Sequence, residues 1–166
     1  MFRKIMFLML CILFPVAESA AHEIVSLNLY YSDERGDNFS VVSAQGVAAA
    51  KAAGYRFVRH QGCIYTSRTP TTVALRLYYH PGRGDNFSTA SKKGALDAQA
   101  AGYRFVRVQG YVYPTRNQQT KPLELFWSSA RGDNFSATKP GFGAARRANY
   151  DQVRTEGFVM SNASCK

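Results

Sequence analysis

An arginine, an aspartate and an asparagine recur in one fixed order at three places: Arg35-Gly36-Asp37-Asn38, Arg83-Gly84-Asp85-Asn86 and Arg131-Gly132-Asp133-Asn134. Phe-Ser follows each copy, and the starts at 35, 83 and 131 are 48 residues apart. A guanidinium, a carboxylate and a carboxamide side by side give charged, directional hydrogen bonding. A shallow sugar site needs that beside an apolar stacking surface. Tyr30, Tyr78 and Phe126 stand five residues before each Arg and are the candidate stacking faces. The candidate ligand site is therefore triple: Arg35, Asp37, Asn38 and Tyr30; Arg83, Asp85, Asn86 and Tyr78; Arg131, Asp133, Asn134 and Phe126. Sites that are weak singly gain ~10²–10⁴ in avidity when geometry lets several engage.

The same residues have a local explanation. In a turn, Gly supplies positive φ, Asp and Asn bond their own backbone, and Arg pairs with Asp. The module is then structural or protein-binding, an adhesin or an inhibitor, and the tetrapeptide only a turn. An Arg-Gly-Asp adhesion loop needs a flexible exposed tip, whereas here the tripeptide leads directly into a strand.

Catalysis is not expected. His22, His60 and His80 fall at unrelated places, and no serine elbow, phosphate loop or metal-ligand spacing is present. The chain calls for no cofactor and no metal. Asp33 and Glu34 in the first unit break the repetition and are the one local asymmetry of note.

The elements that must position these residues repeat with them. Each unit opens on an alternating run: Leu27-Asn28-Leu29-Tyr30-Tyr31, Leu75-Arg76-Leu77-Tyr78-Tyr79 and Leu123-Glu124-Leu125-Phe126-Trp127. Period-two alternation predicts a strand with one buried face. Leu27, Leu29 and Tyr31 would face the core in layers with their counterparts, and Asn28, Arg76 and Glu124 would face solvent. The Gly-Asp-Asn turn then leads into a second strand. Alanine-rich stretches follow, with six alanines in Ala44 to Ala53 and four in Ala95 to Ala101. They predict short helices with N-caps at Ser43 and Ser91. Gly54, Gly102 and Asn149 stand where a left-handed C-terminal residue belongs. Each unit closes on a run such as Tyr55 to Tyr65, read as two strands broken at Gln61-Gly62, Gln109-Gly110 and Glu156-Gly157. The third unit is one residue short and its second half is degenerate, so a site needing that half would exist only twice.

Residues 1–21 read as a signal peptide: Arg3 and Lys4, an apolar run from Ile5 to Val16, then Ser19 and Ala21 at the cleavage site. The run is too short to span a bilayer, which takes about 20 apolar residues. Residues 22–166 form one domain of three repeats, about 22–70, 71–118 and 119–166. Removing Arg3, Lys4 and Glu18 from 21 basic and 11 acidic residues leaves a formal charge of +9. A basic exported chain favours a glycan or an anionic cell-surface polymer as partner, with no nucleic acid and no stable membrane insertion; its oligomeric state is left open. Cys63 and Cys165 are the pair expected to form a disulfide in an oxidising compartment. Asn38, Asn86, Asn134 and Asn162 each head an Asn-x-Ser sequon, with Asn162 the best placed for N-glycosylation.

The pattern Leu-x-Leu-Tyr-Tyr, Arg-Gly-Asp-Asn-Phe-Ser, Gly-Tyr-x-Phe-Val-Arg-x-Gln-Gly resembles a triplicate repeat of secreted and multidomain proteins. It is loosely similar to three-lobed lectin modules. The expected fold is mainly β with short helices, three repeats of about 48 residues closed in a pseudo-threefold arrangement, β-trefoil-like. A three-bladed propeller or another ββαβ ring is the alternative. The expected function is a secreted, lectin-like binding module.

Overall fold

The computed structural model describes residues 22–161 and residue 165. The expected signal peptide and Asn162 lie outside the described residues. The chain is mainly β with three short helices, in three successive β-β-α-β segments. The first holds β1 (Ile24–Ser32), β2 (Asp37–Val41), α1 (Ala44–Ala52) and β3 (Arg56–Tyr65). The second holds β4 (Val73–His80), β5 (Asp85–Thr89), α2 (Lys92–Ala100) and β6 (Arg104–Val112). The third holds β7 (Thr120–Ser128), β8 (Asp133–Ala137), α3 (Lys139–Arg147) and β9 (Asp151–Met160).

Every strand pairing among the described residues is antiparallel, and the nine strands join one sheet to which each segment contributes three. Within each segment the first strand lies in the middle, giving the orders β2-β1-β3, β5-β4-β6 and β8-β7-β9. The hairpin registers match, with Tyr30 opposite Phe39, Tyr78 opposite Phe87 and Phe126 opposite Phe135. Such aromatic cross-strand pairs hold the two strands in register. Short bridges join the third strands: Tyr65 to Tyr111, Cys63 to Met160 and Tyr113 to Phe158.

The glycine and cap expectations hold. Gly36, Gly84 and Gly132 sit at φ 65°, 69° and 66° in the hairpin turns. The Ser43 and Ser91 hydroxyls accept from the Gly46 and Gly94 N–H groups at 3.0 and 2.9 Å. Gly54 and Gly102 end their helices at φ 82° and 86°, and Asn149 does so at φ 58°.

The closing run differs from expectation, for it is one continuous strand in each segment rather than two. Gly62 and Gly157 take φ 131° and 138° and bend the strand without ending it. Close approach is the second reason for glycine here. A Cβ on Gly62 would meet Val159 Cγ2 at 2.6 Å and the Met160 carbonyl at 2.7 Å; on Gly110 it would meet Ile64 and the Tyr65 carbonyl. On Gly157 it would meet Val112 and the Tyr113 carbonyl. Each of these glycines thus lets a strand of another segment lie against it.

The core divides into four clusters. Leu27, Leu75 and Leu123 form the expected layer, joined by Ile64, Val112 and Val159. The other two expected layers do not form. Leu29 enters the third segment's cluster with Phe126, Phe135 and Tyr150. Leu77 enters the first segment's, with Tyr30, Phe39 and Tyr55, and Leu125 enters the second's, with Tyr78, Phe87 and Tyr103. Tyr31, Tyr79 and Trp127 are half-buried instead of stacked in the core. Glu124, expected in solvent, is buried and accepts from the Thr155 hydroxyl at 2.9 Å. The cause is that β1, β4 and β7 are covered on both faces. One face packs on its own segment's helix and hairpin partner, the other on a neighbouring segment, so simple alternation fails.

Cys63 and Cys165 are paired at disulfide geometry, with a Cα–Cα distance of 5.7 Å across 102 residues of sequence. Among the described residues, no helix is long and apolar enough to cross a membrane.

Candidate functional site

Asp37, Asp85 and Asp133 open β2, β5 and β8, and all three are buried, at 2%, 1% and 3% exposure. They come from positions 48 residues apart, yet one carboxylate oxygen of each lies within 4.8 Å of the others. Each accepts a hydrogen bond from the tyrosine that follows its own segment's helix: Tyr55 to Asp37, Tyr103 to Asp85 and Tyr150 to Asp133. Each also accepts from an asparagine of another segment. Asn86 Nδ2 donates to Asp37 at 2.7 Å, Asn134 Nδ2 to Asp85 at 2.8 Å and Asn38 Nδ2 to Asp133 at 3.0 Å. The backbone N–H groups of Asn86 and Asn134 reach the same carboxylates at 3.1 and 3.2 Å. The three bonds from Asn to Asp run from one segment to the next and close into a cycle.

Two of the expected local roles are therefore replaced. The aspartates bond other segments rather than their own turn. The arginines lie over the tyrosine rings, not against the carboxylates. Arg35 sits 6.0 Å over Tyr55, Arg83 5.7 Å over Tyr103 and Arg131 5.7 Å over Tyr150. Burial in an apolar setting is the physical cause, since a carboxylate out of water needs several donors. The third segment, expected to be degenerate, still supplies its tyrosine, because Tyr150 takes the place of Tyr55 and Tyr103 despite the one-residue deletion. The sequon amides of Asn38, Asn86 and Asn134 are donors in this cycle.

Electrostatics follow from burial. Desolvation, with the neighbouring aspartates adding to it, pushes Asp85 up to about 7 and Asp133 up to about 9. The three tyrosine hydroxyls are pushed well above their usual range by burial and by the adjacent aspartate. A buried Oδ1 on Asp85 and another on Asp133 have no hydrogen-bond partner.

Tyr30, Tyr78 and Phe126 are not an exposed stacking face. They are 4%, 3% and 0% exposed, held in the core clusters. The aromatic surface near the arginines is instead Trp127, with Arg83 5.3 Å over its ring, and its half-buried counterpart Tyr31. Two clefts result. One, of about 300 Å³, is lined by Arg83, Tyr103, Trp127, Asn134, Val153 and Arg154. The other, of about 230 Å³, is lined by Arg131, Tyr150, Tyr31, Asn38, Val58 and Arg59. These are matching positions of different segments. Arg154 is neutralised by Glu156 at 2.6 Å and Asp97 at 3.0 Å, while Arg59 has a buried Nε without a partner. The recurrence of Arg-x-Gln-Gly and Arg-x-Glu-Gly was the signal for these second arginines.

The histidines take local roles. His22 bonds Ser67, His60 bonds Asn28 and Ser26, and His80 accepts from the Arg83 N–H. Asp33 is ion-paired with Arg56 at the surface.

No match was found among curated proteins or among solved structures. A family model described as a domain of unknown function (DUF5648) matches residues 26–160, most of the chain, and the protein belongs to that family.

Proposed function

We propose that this protein is a secreted, non-enzymatic binding module, directed at an acidic glycan or another anionic cell-surface polymer through the clefts between its segments. The observation that carries this reading is the pair of clefts in which an exposed arginine lies over an aromatic ring, Arg83 over Trp127 and Arg131 over Tyr150, with Tyr31 lining the second cleft. A sugar ring stacks on the aromatic surface while guanidinium groups take its carboxylate or sulfate. The partnerless Nε of Arg59 favours an anion in the second cleft, and the basic charge of the chain favours the same partner class.

In this reading the three segments are repeats closed around a pseudo-threefold axis through Asp37, Asp85 and Asp133. Three observations support closure: the cyclic Asn-to-Asp bonds, the exchange of Leu29, Leu77 and Leu125 between clusters, and the mutual contacts of β2, β5 and β8. Three strands per repeat favour a ββαβ ring over a trefoil. Multivalency then follows from the copy number of the cleft.

The test is binding of mature protein to immobilised acidic polysaccharide, with neutral dextran as control, at low and moderate salt. Arg83→Ala combined with Arg131→Ala should lower affinity at least tenfold with the fold intact. Absence of binding to every acidic and neutral glycan on a broad array, at low salt, would overturn the reading. A protein partner is the second reading, favoured by the exposed Phe57, Phe105, Val106 and Val153 on β3, β6 and β9.

A further inference from the structure

We propose that Asp37, Asp85 and Asp133 form a binding site for one hard, oxygen-preferring divalent cation, of which calcium is the best fit. Three carboxylates are gathered with one oxygen of each inside 4.8 Å, far from water. Close carboxylates in a buried site cannot all stay ionised without a compensating charge. The arginines do not supply it, because they lie over the tyrosine rings and make no ion pair with these carboxylates among the described residues. What compensates must be protons or a metal ion.

The unshared oxygens decide between them. Tyrosine and asparagine donors occupy Oδ2 of all three aspartates. Oδ1 of Asp85 and of Asp133 is buried with no partner at all. An orphaned buried carboxylate oxygen carries its full desolvation penalty unless something ligates it. The donors thus take Oδ2 and leave the buried Oδ1 of Asp85 and of Asp133 with acceptor capacity for an ion. Calcium takes oxygens at about 2.3–2.6 Å. Three ligands around it in a plane stand roughly 4.0–4.5 Å apart at that bond length, a spacing inside the 4.8 Å within which the three oxygens lie. Magnesium fits less well, because it demands a near-ideal octahedron at a shorter bond length and dehydrates reluctantly, whereas calcium tolerates irregular geometry.

The tyrosines provide the readout. Tyr55, Tyr103 and Tyr150 bond directly to the aspartates, so terbium bound there is excited through them. The mature protein is stripped with EDTA and titrated with terbium chloride, then with calcium chloride. Tyrosine-sensitised terbium emission should saturate at one ion per chain and be displaced by calcium. Calcium should also raise the melting temperature of the stripped protein. Asp133→Asn, which preserves shape and hydrogen bonding, should weaken terbium binding at least tenfold while remaining folded. No sensitised emission and no thermal shift with calcium, magnesium or manganese would overturn the site and leave shared protons as the compensation. Emission unchanged in Asp133→Asn would place the ion on surface carboxylates and overturn it equally. Glycan binding does not enter either readout, so the outcome is independent of the clefts.

Discussion

Asn86 donates through Nδ2 to Asp37 Oδ2 at 2.7 Å while its backbone N–H reaches Oδ1 of the same carboxylate at 3.1 Å, a two-point grip between residues 49 apart in sequence. The grip joins the first segment to the second where both are buried. Replacing Asn86 with Ala removes the side-chain half and leaves a buried carboxylate oxygen short of a donor. The expected loss is about 1–3 kcal/mol, read as a lowered denaturant midpoint. Asn86→Asp adds another carboxylate to the cluster and should be worse than the alanine variant at pH 8 and closer to it at pH 5.

The aspartate cluster makes stability depend on pH in an unusual direction. The folded values of Asp85 and Asp133 are raised from an ordinary 3.8 to about 7 and about 9, so the fold favours their protonated forms. That contribution is fully present below pH 4 and is lost as pH rises through 7 and then 9. In EDTA, the urea midpoint of the wild type should fall between pH 5 and pH 9 relative to that of Asp133→Asn. A difference that stays flat across this range would show that the carboxyls do not titrate as the geometry requires.

Gly62 and Gly54 are both left-handed, and the structure ranks them. A side chain at Gly54 meets nothing within 4 Å, so Gly54→Ala carries only the backbone term, about 1 kcal/mol. At Gly62 a Cβ also meets Val159 and the Met160 carbonyl, so Gly62→Ala should cost about 3 kcal/mol or more. Chemical denaturation of the two variants side by side gives the ranking directly.

Leu77 belongs to the second segment but is 2% exposed within the first segment's cluster. Leu77→Ala should cost about 2–5 kcal/mol, the range for a buried leucine that leaves a cavity. Hydrogen exchange should rise in β1 and β2 as well as in β4, which a defect confined to the second segment would not produce.

The disulfide closes a 102-residue span and ties the C-terminal end of β3 to residue 165. Reduction should lower stability by about 4–5 kcal/mol on loop entropy, measured as a shift in guanidinium midpoint with and without reductant. Thiol titration of the denatured, unreduced mature protein should find none free.

The sequence by itself determined what is local. Alternation placed the first strands, serine and alanine placed α1 and α2, and glycine or asparagine at Gly54, Gly102 and Asn149 marked where helices end. These follow from φ preferences and capping, which depend on a few neighbouring residues. The tertiary structure decided everything that depends on partners 48 residues away. It covered the second face of β1, β4 and β7, and so put Tyr30, Tyr78 and Phe126 in the core instead of on the surface. It also set Asp37, Asp85 and Asp133 against one another, although their positions in sequence share no ligand spacing. A carboxylate in a turn and a carboxylate in a buried cluster are written with the same letters. Only the packing of the three segments distinguishes them, by removing the water that a turn aspartate would have kept.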